Sequence, residues 1–173
     1  MLNNAIALED QLETVQQAKE FLLGLTAENY QVVIKPHFAS SAGKHMRHIL
    51  DHYLALQYGL SQGLVNYNKR NRYSNVESCP QAALLEWQKI EQWLKEVSLL
   101  DADFPLTVAC ETSVNKTQST NTKSTLAREL VFVSSQAVHH ISLLAVINSL
   151  LGNNDEDNFG IAPSTATYLR QQA

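Results

Sequence analysis

The sequence predicts an all-α protein, an antiparallel four-helix bundle forming one domain over residues 1–173. Three observations carry that expectation. Apolar residues recur at spacings of three and four along four stretches, the period of a helix with one buried face. Helix breakers are scarce, with six Gly and four Pro in 173 residues. The stretch 126–151 also holds a heptad-type stripe of Leu126, Leu130, Val133, Ala137, His140, Leu144, Ile147 and Leu151, as expected for a helix lying along antiparallel neighbours.

The first helix is expected over 4–24, where Leu8, Leu12, Val15, Phe21 and Leu22 are helically spaced and Glu9 and Asp10 lie toward the start. Residues 25–40, with Thr26, Pro36 and Ser40, make a connection, with room for one helical turn at 27–30. Ser40 or Ser41 caps a second helix running to about Ser61. QGLVNYNKRNRYSNVES (62–78) is polar and aperiodic, which reads as a long loop. Pro80 suits the first turn of a third helix through Val97, with Leu84, Leu85, Trp87, Ile90 and Leu94 on its apolar face. Residues 101–123 fit either a short hairpin or a flexible excursion: LTVACET is β-prone, while SVNKTQSTNTKST has almost nothing to bury. The fourth helix runs from a Ser124–Thr125 cap to Leu151 and ends at Gly152. An acidic loop, NNDEDN, and a short C-terminal helix opening at Ser164 complete the chain.

With 45% hydrophobic and 17% charged residues, the composition is that of a folded globular protein. The net charge of −4 and the lack of a basic stripe argue against nucleic acid as a partner. No run approaches 18 consecutive apolar residues, so no membrane span is expected. MLNNAIALEDQLE has neither the basic nor the apolar region of a secretory signal, and Cys79 and Cys110 read as reduced thiols, so the expected compartment is cytoplasmic.

Five of the six histidines fall in two groups, His45/His48/His52 and His139/His140. At about 100° per residue, the first three span roughly a 60° arc bordering the apolar face of the second helix. His140 falls within the stripe of the fourth helix, where an unpaired polar ring would cost about 1–3 kcal/mol. Bundle cores are a usual place for metal sites built from facing helices, and imidazole suits zinc, nickel and iron. The same rings are also served by pairing with each other, with Asp51 or with carbonyls. A third ligand near His140 belongs one turn earlier on its helix, at position 136, and that residue is Gln.

SSAGKHMRHILDHY (40–53), LVNYNKRNR (64–72), RELVFVSSQAVHHISLLAVI (128–147) and NFGIAPSTATYLR (158–170) together resemble the DinB-like (damage-inducible) superfamily, in an uncharacterised bacterial branch. The resemblance covers most of residues 25–170 and implies a four-helix bundle. It also implies a divalent metal, zinc, nickel, iron or manganese, on three histidines, one from the second helix and two from the fourth. In this chain those positions are His48, Gln136 and His140, so one ligand of three departs from the family pattern. A weaker metal, a substituting amide or loss of the metal would each follow. The implied chemistry is transfer or hydrolysis on a small thiol or thiol conjugate, with His45, His52 or His139 orienting ligands or moving a proton. The alternatives are a metal-free bundle binding a small molecule and a homodimeric interaction protein.

The remaining candidates are weaker. Ser134 and Ser135 near His139 lack a Gly-x-Ser-x-Gly turn. The two cysteines lack a basic neighbourhood, and Trp87 and Trp93 fit packing better than ligand binding. Lys69, Arg70 and Arg72 form either a solvated face or a group that orients an anionic substrate beside a metal.

Overall fold

The computed structural model describes residues 8–153 and 158–172. Four long helices arise where apolar spacing places them: α1 (Leu8–Leu23), α3 (Ala42–Gln62), α4 (Pro80–Val97) and α5 (Leu126–Leu150). Between the first two lies α2 (Ala27–Gln31), a five-residue turn whose N-cap Thr26 accepts from the Asn29 N–H. Ser41 rather than Ser40 caps α3, accepting from the Lys44 N–H, and Thr125 caps α5 in the same way through Arg128. The last helix is α6 (Pro163–Gln172). Residues 4–7 of the expected first helix and 154–157 of the acidic loop lie outside the described residues.

The all-α four-helix bundle, implied by periodicity and by the DinB-like resemblance alike, needs correction. Among the described residues the chain also forms a three-stranded mixed sheet of β1 (Leu64–Asn66), β2 (Pro105–Glu111) and β3 (Ser119–Thr125), so the architecture is mixed α/β. β1 lies in the segment expected to be loop and runs parallel to β2, with Val65 opposite Val108. β2 and β3 form the hairpin, antiparallel from Pro105↔Thr125 to Glu111↔Ser119. Hydrophobic patterning misses β3, STNTKST, because this strand buries almost nothing and is held by backbone pairing to β2.

Chain reversal after α3 depends on two glycines. Gly63 takes the left-handed conformation (φ 69°) that ends the helix. A Cβ on Gly59 would lie 2.6 Å from the Val65 Cα, so only glycine lets β1 fold back against the helix it follows. The Tyr67 N–H extends the pairing by donating to the Ala109 carbonyl at 3.1 Å, which delivers Tyr67 and Arg70 beside α3.

α1 packs against α4 and α5, and α3 packs against α4 and α5. Met46, Tyr53, Trp87, Ile90, Leu130 and Leu144 lie in the shared core. Trp87 and Trp93 are both buried as packing residues, and the Trp87 Nε1–H points at Met46 Sδ, 3.0 Å away. By length and composition α5 is apolar enough to cross a membrane, but Leu126, Leu130, Val133, Ala137, Ile141, Leu144 and Ile147 belong to the core. The buried row therefore passes through Ile141. His140, expected inside the stripe, stands half-buried on its flank.

Candidate functional site

Five imidazoles meet where α3 crosses α5. His45, His48 and His52 lie on one side of α3 at i, i+3 and i+7, and the α3–α5 contact turns that side toward His140. The His48 and His140 rings are 4.6 Å apart and nearly perpendicular. His45 Nδ1 is 3.1 Å from His140 Nδ1, and its other nitrogen, Nε2, is 2.8 Å from Ser40 Oγ. His52 follows His48 at 4.7 Å between ring centroids. His139 is exposed on the far side of His140, with its ring 5.0 Å away.

Hydrogen bonding settles the tautomer of one ring. His52 Nδ1 lies 2.8 Å from the His48 carbonyl, an acceptor only, so Nδ1 carries the proton and Nε2 keeps a lone pair. His48 makes no ring hydrogen bond to a described residue. Gln136, expected as the third ligand, is half-buried one turn before His140, and no hydrogen bond joins it to the rings. Thus His48 and His140 are brought together as expected, while the nitrogen closest to His140 belongs to His45.

Burial sets the charge state of this group. It lowers the His48 ring from the ordinary 6.5 to about 3, with His52, His140, Arg70 and Arg47 adding in the same direction. It lowers His140 to about 4, helped by His45 and His139. His45 is lowered by burial and by His139. For His52, burial and Arg70 outweigh its hydrogen bond to the His48 carbonyl and the pull of Asp51. These four rings are neutral at pH 7, the form in which imidazole offers a lone pair.

A second polar centre adjoins the first. The Tyr67 ring stacks on His52 at 5.5 Å, and its hydroxyl donates to Glu129 Oε2 at 2.7 Å. Glu129 Oε1 accepts from Ser124 Oγ at 2.5 Å and from Arg128 Nη1 at 3.0 Å, which satisfies a carboxylate that is only 1% exposed. Burial, then the Glu129 carboxylate, pushes the Tyr67 hydroxyl far above its usual range, so it remains a donor. Phe132 closes the space between the two centres, 6.0 Å from His52 and 5.0 Å from Tyr67.

Two nitrogens on one tetrahedral ion of zinc size, with bonds near 2.05 Å, stand about 3.3 Å apart. The His45–His140 separation of 3.1 Å therefore suits either a hydrogen bond or two sites on one metal. Among the described residues no three His, Cys, Asp or Glu side chains are already disposed as a metal-ligand group. A third donor requires a ring to turn, and His48, without a hydrogen bond to hold it, is the ring able to do so.

Fold and cluster together define a mixed α/β protein with a half-buried, neutral imidazole centre. No family model matches the chain, and no solved structure matches it. FK506-binding protein 5 of Rhizopus delemar is 30% identical over 109 residues, which are 63% of this chain and 28% of that protein. The chain thus spans less than a third of that relative's length. These results and the sheet overturn the resemblance to the DinB-like superfamily: no family model supports it, and the relative found carries a different name.

Sequence patterns did not single out Ser40 beyond capping, nor Tyr67 and Glu129. Tyr67 lies just after β1, in a segment whose polar, aperiodic sequence carries no strand signal. Glu129 does carry a signal, since an acid in the first turn of an apolar helix is usual, but its burial depends on the hairpin folding over it.

Proposed function

We propose that this chain binds a divalent transition metal through His45, His48 and His140, with the Gln136 amide as a further oxygen donor. The observation that carries this is the meeting of three neutral imidazoles from two helices, two of them at a separation one ion can bridge. The Ser40 hydroxyl supports it by holding the outer nitrogen of His45, as second partners of ligating histidines do. An ion with an open position there would act as a Lewis acid and lower the pKa of a bound water or thiol. Hydrolysis by such an activated water, or transfer to such an activated thiol, is the reaction class proposed for it. The cluster supports this better than the name of the Rhizopus delemar relative supports an FK506 site, because its lining is imidazole and hydroxyl.

Calorimetric titration of zinc into the untagged protein tests the proposal. One equivalent bound by wild type, with a loss of at least about 100-fold in His48→Ala and in His140→Ala, is expected. Equal binding by wild type and both variants would end it.

A further inference from the structure

The chain from Asn71 to Glu77 is pinned at both ends. The Asn71 N–H donates to Asp51 Oδ1 at 3.2 Å. Further on, the Val76 carbonyl accepts from the Tyr30 hydroxyl at 2.7 Å, and Glu77 pairs with Arg47 at 2.9 Å. This segment, α3 and α4 together line a cavity of about 640 Å³, within the range of small-molecule sites. Leu50, Leu54, Val76 and Leu85 supply its apolar wall. Leu85, expected on the buried face of its helix, is 58% exposed there, and Tyr73, which also lines the cavity, is 91% exposed.

Two polar groups of this cavity lack partners. Ser74 stands at the N-cap position of the short turn Asn75–Glu77, yet its hydroxyl makes no capping bond. Its Oγ is buried with no hydrogen-bond partner among the described residues, a state that costs about 1–3 kcal/mol unless something else satisfies it. The second group is Arg72. Of the three cations in this stretch, Lys69 lies 5.3 Å from the centroid of the Tyr58 ring, and Arg70 folds back to donate to the Tyr67 and Lys69 carbonyls. The Arg72 side chain makes no ion pair or hydrogen bond with a described residue. The other cations of the cavity are engaged, Arg47 with Asp51 at 2.8 Å and Lys89 with Glu86 at 2.6 Å. The lining therefore keeps one uncompensated positive charge, two residues from an unpartnered hydroxyl and beside an apolar wall.

We propose that this cavity binds a small amphipathic monoanion, a medium-chain carboxylate. Its apolar body covers Leu54, Val76 and Leu85, and its carboxylate accepts from Arg72 and from the Ser74 hydroxyl. The site is separate from the metal site proposed above, since none of His45, His48 and His140 lines it. A single free guanidinium suits a monocarboxylate, and the apolar wall gives an inorganic anion nothing to cover.

Calorimetric titration of octanoate, octan-1-ol and inorganic phosphate into the metal-free protein tests this. Wild type should bind one octanoate saturably, and more tightly than octan-1-ol or phosphate. Arg72→Gln should weaken octanoate about 10-fold and leave octan-1-ol unchanged, because only the charge-assisted contact is lost. Leu85→Gln should weaken both about fivefold or more. Both positions are exposed, so both variants should keep the wild-type Tm. Ser74→Ala should weaken octanoate about threefold without lowering Tm, since its hydroxyl has no protein partner to lose. His48→Ala should bind octanoate as wild type does. Loss of octanoate in His48→Ala would move the ligand to the imidazole centre and overturn the separate site. Absent or unsaturable octanoate binding, affinity unchanged in both Arg72→Gln and Leu85→Gln, or tighter binding of octan-1-ol or phosphate than of octanoate would likewise overturn the proposal.

Discussion

Two polar centres share the Tyr67–His52 stack, one buried around Glu129 and one half-buried around His48 and His140, and they are built to opposite rules. Around Glu129 each carboxylate oxygen has a donor: Tyr67 on one, Ser124 and Arg128 on the other. Around His48 and His140 the accounting does not close. One ring has no hydrogen bond to a described residue, His52 keeps an unengaged nitrogen, and four rings are held neutral by burial. A satisfied buried network rigidifies, while half-buried ring nitrogens without a protein partner stay open to water or to a ligand. The difference teaches that the Glu129 centre is closed on itself, while the imidazole centre is left with free ring nitrogens, which the proposed metal site would use.

The largest expected effect separates the two by metal affinity. His140→Ala should weaken zinc binding at least about 100-fold, while Tyr67→Phe leaves it within about threefold. Equal losses in both would merge the two centres into one.

Stability should divide the other way. Tyr67→Phe removes a donor from a buried carboxylate, a cost of about 1–3 kcal/mol. For a domain of this size that lowers Tm by roughly 2–12 °C, readable by calorimetry. A Tm unchanged by this substitution would mean that Glu129 is not locked as the geometry shows.

pH sharpens the contrast. His48 and His140 fall to about 3 and about 4 in the folded protein, against 6.5 in the unfolded chain. Below pH 6.5 the unfolded chain therefore takes up protons that the folded rings refuse, and stability is lost as pH falls toward 4. Above pH 6.5 these rings contribute no slope. Denaturant unfolding of the metal-free protein between pH 7.5 and 4 should show this decline, and His48→Ala should flatten it. A flat wild-type profile would contradict the burial of these rings.

The smallest effect concerns Ser40. Ser40→Ala should weaken zinc binding about 10-fold without changing the number of sites, because it frees His45 Nε2 rather than removing a ligand. No change in titration would reduce Ser40 to a local contact.

Much of the helical scaffold was legible because burial imposes a period. The stripe of α5, the Pro80 start of α4 and the caps at Ser41 and Thr125 all leave marks that one residue type or spacing can show. Of the sheet, only the β2–β3 hairpin was open to the sequence, as one of two readings of 101–123; β1 was not legible. β1 is three residues long, and β3 is stabilised by its neighbour's backbone rather than by its own side chains. In the site, the spacing of His45, His48 and His52 placed them on one face, and His48 does meet His140. Spacing could not rank His45 ahead of Gln136, since that depends on how α3 is rotated against α5. Nor could it distinguish Arg70 from Lys69 and Arg72, whose different surroundings are set by the turn after β1.

The central claim is that His45, His48 and His140 close on one metal ion, and the ring nitrogens report this directly. Long-range ¹H–¹⁵N correlation spectra of the imidazoles, recorded during titration with zinc, should show one nitrogen each of His45, His48 and His140 shifting together and saturating at one equivalent. His37 and His139, both exposed, should keep their positions. Shifts confined to His37 or His139, or no saturable shift in His45, His48 and His140, would contradict the account.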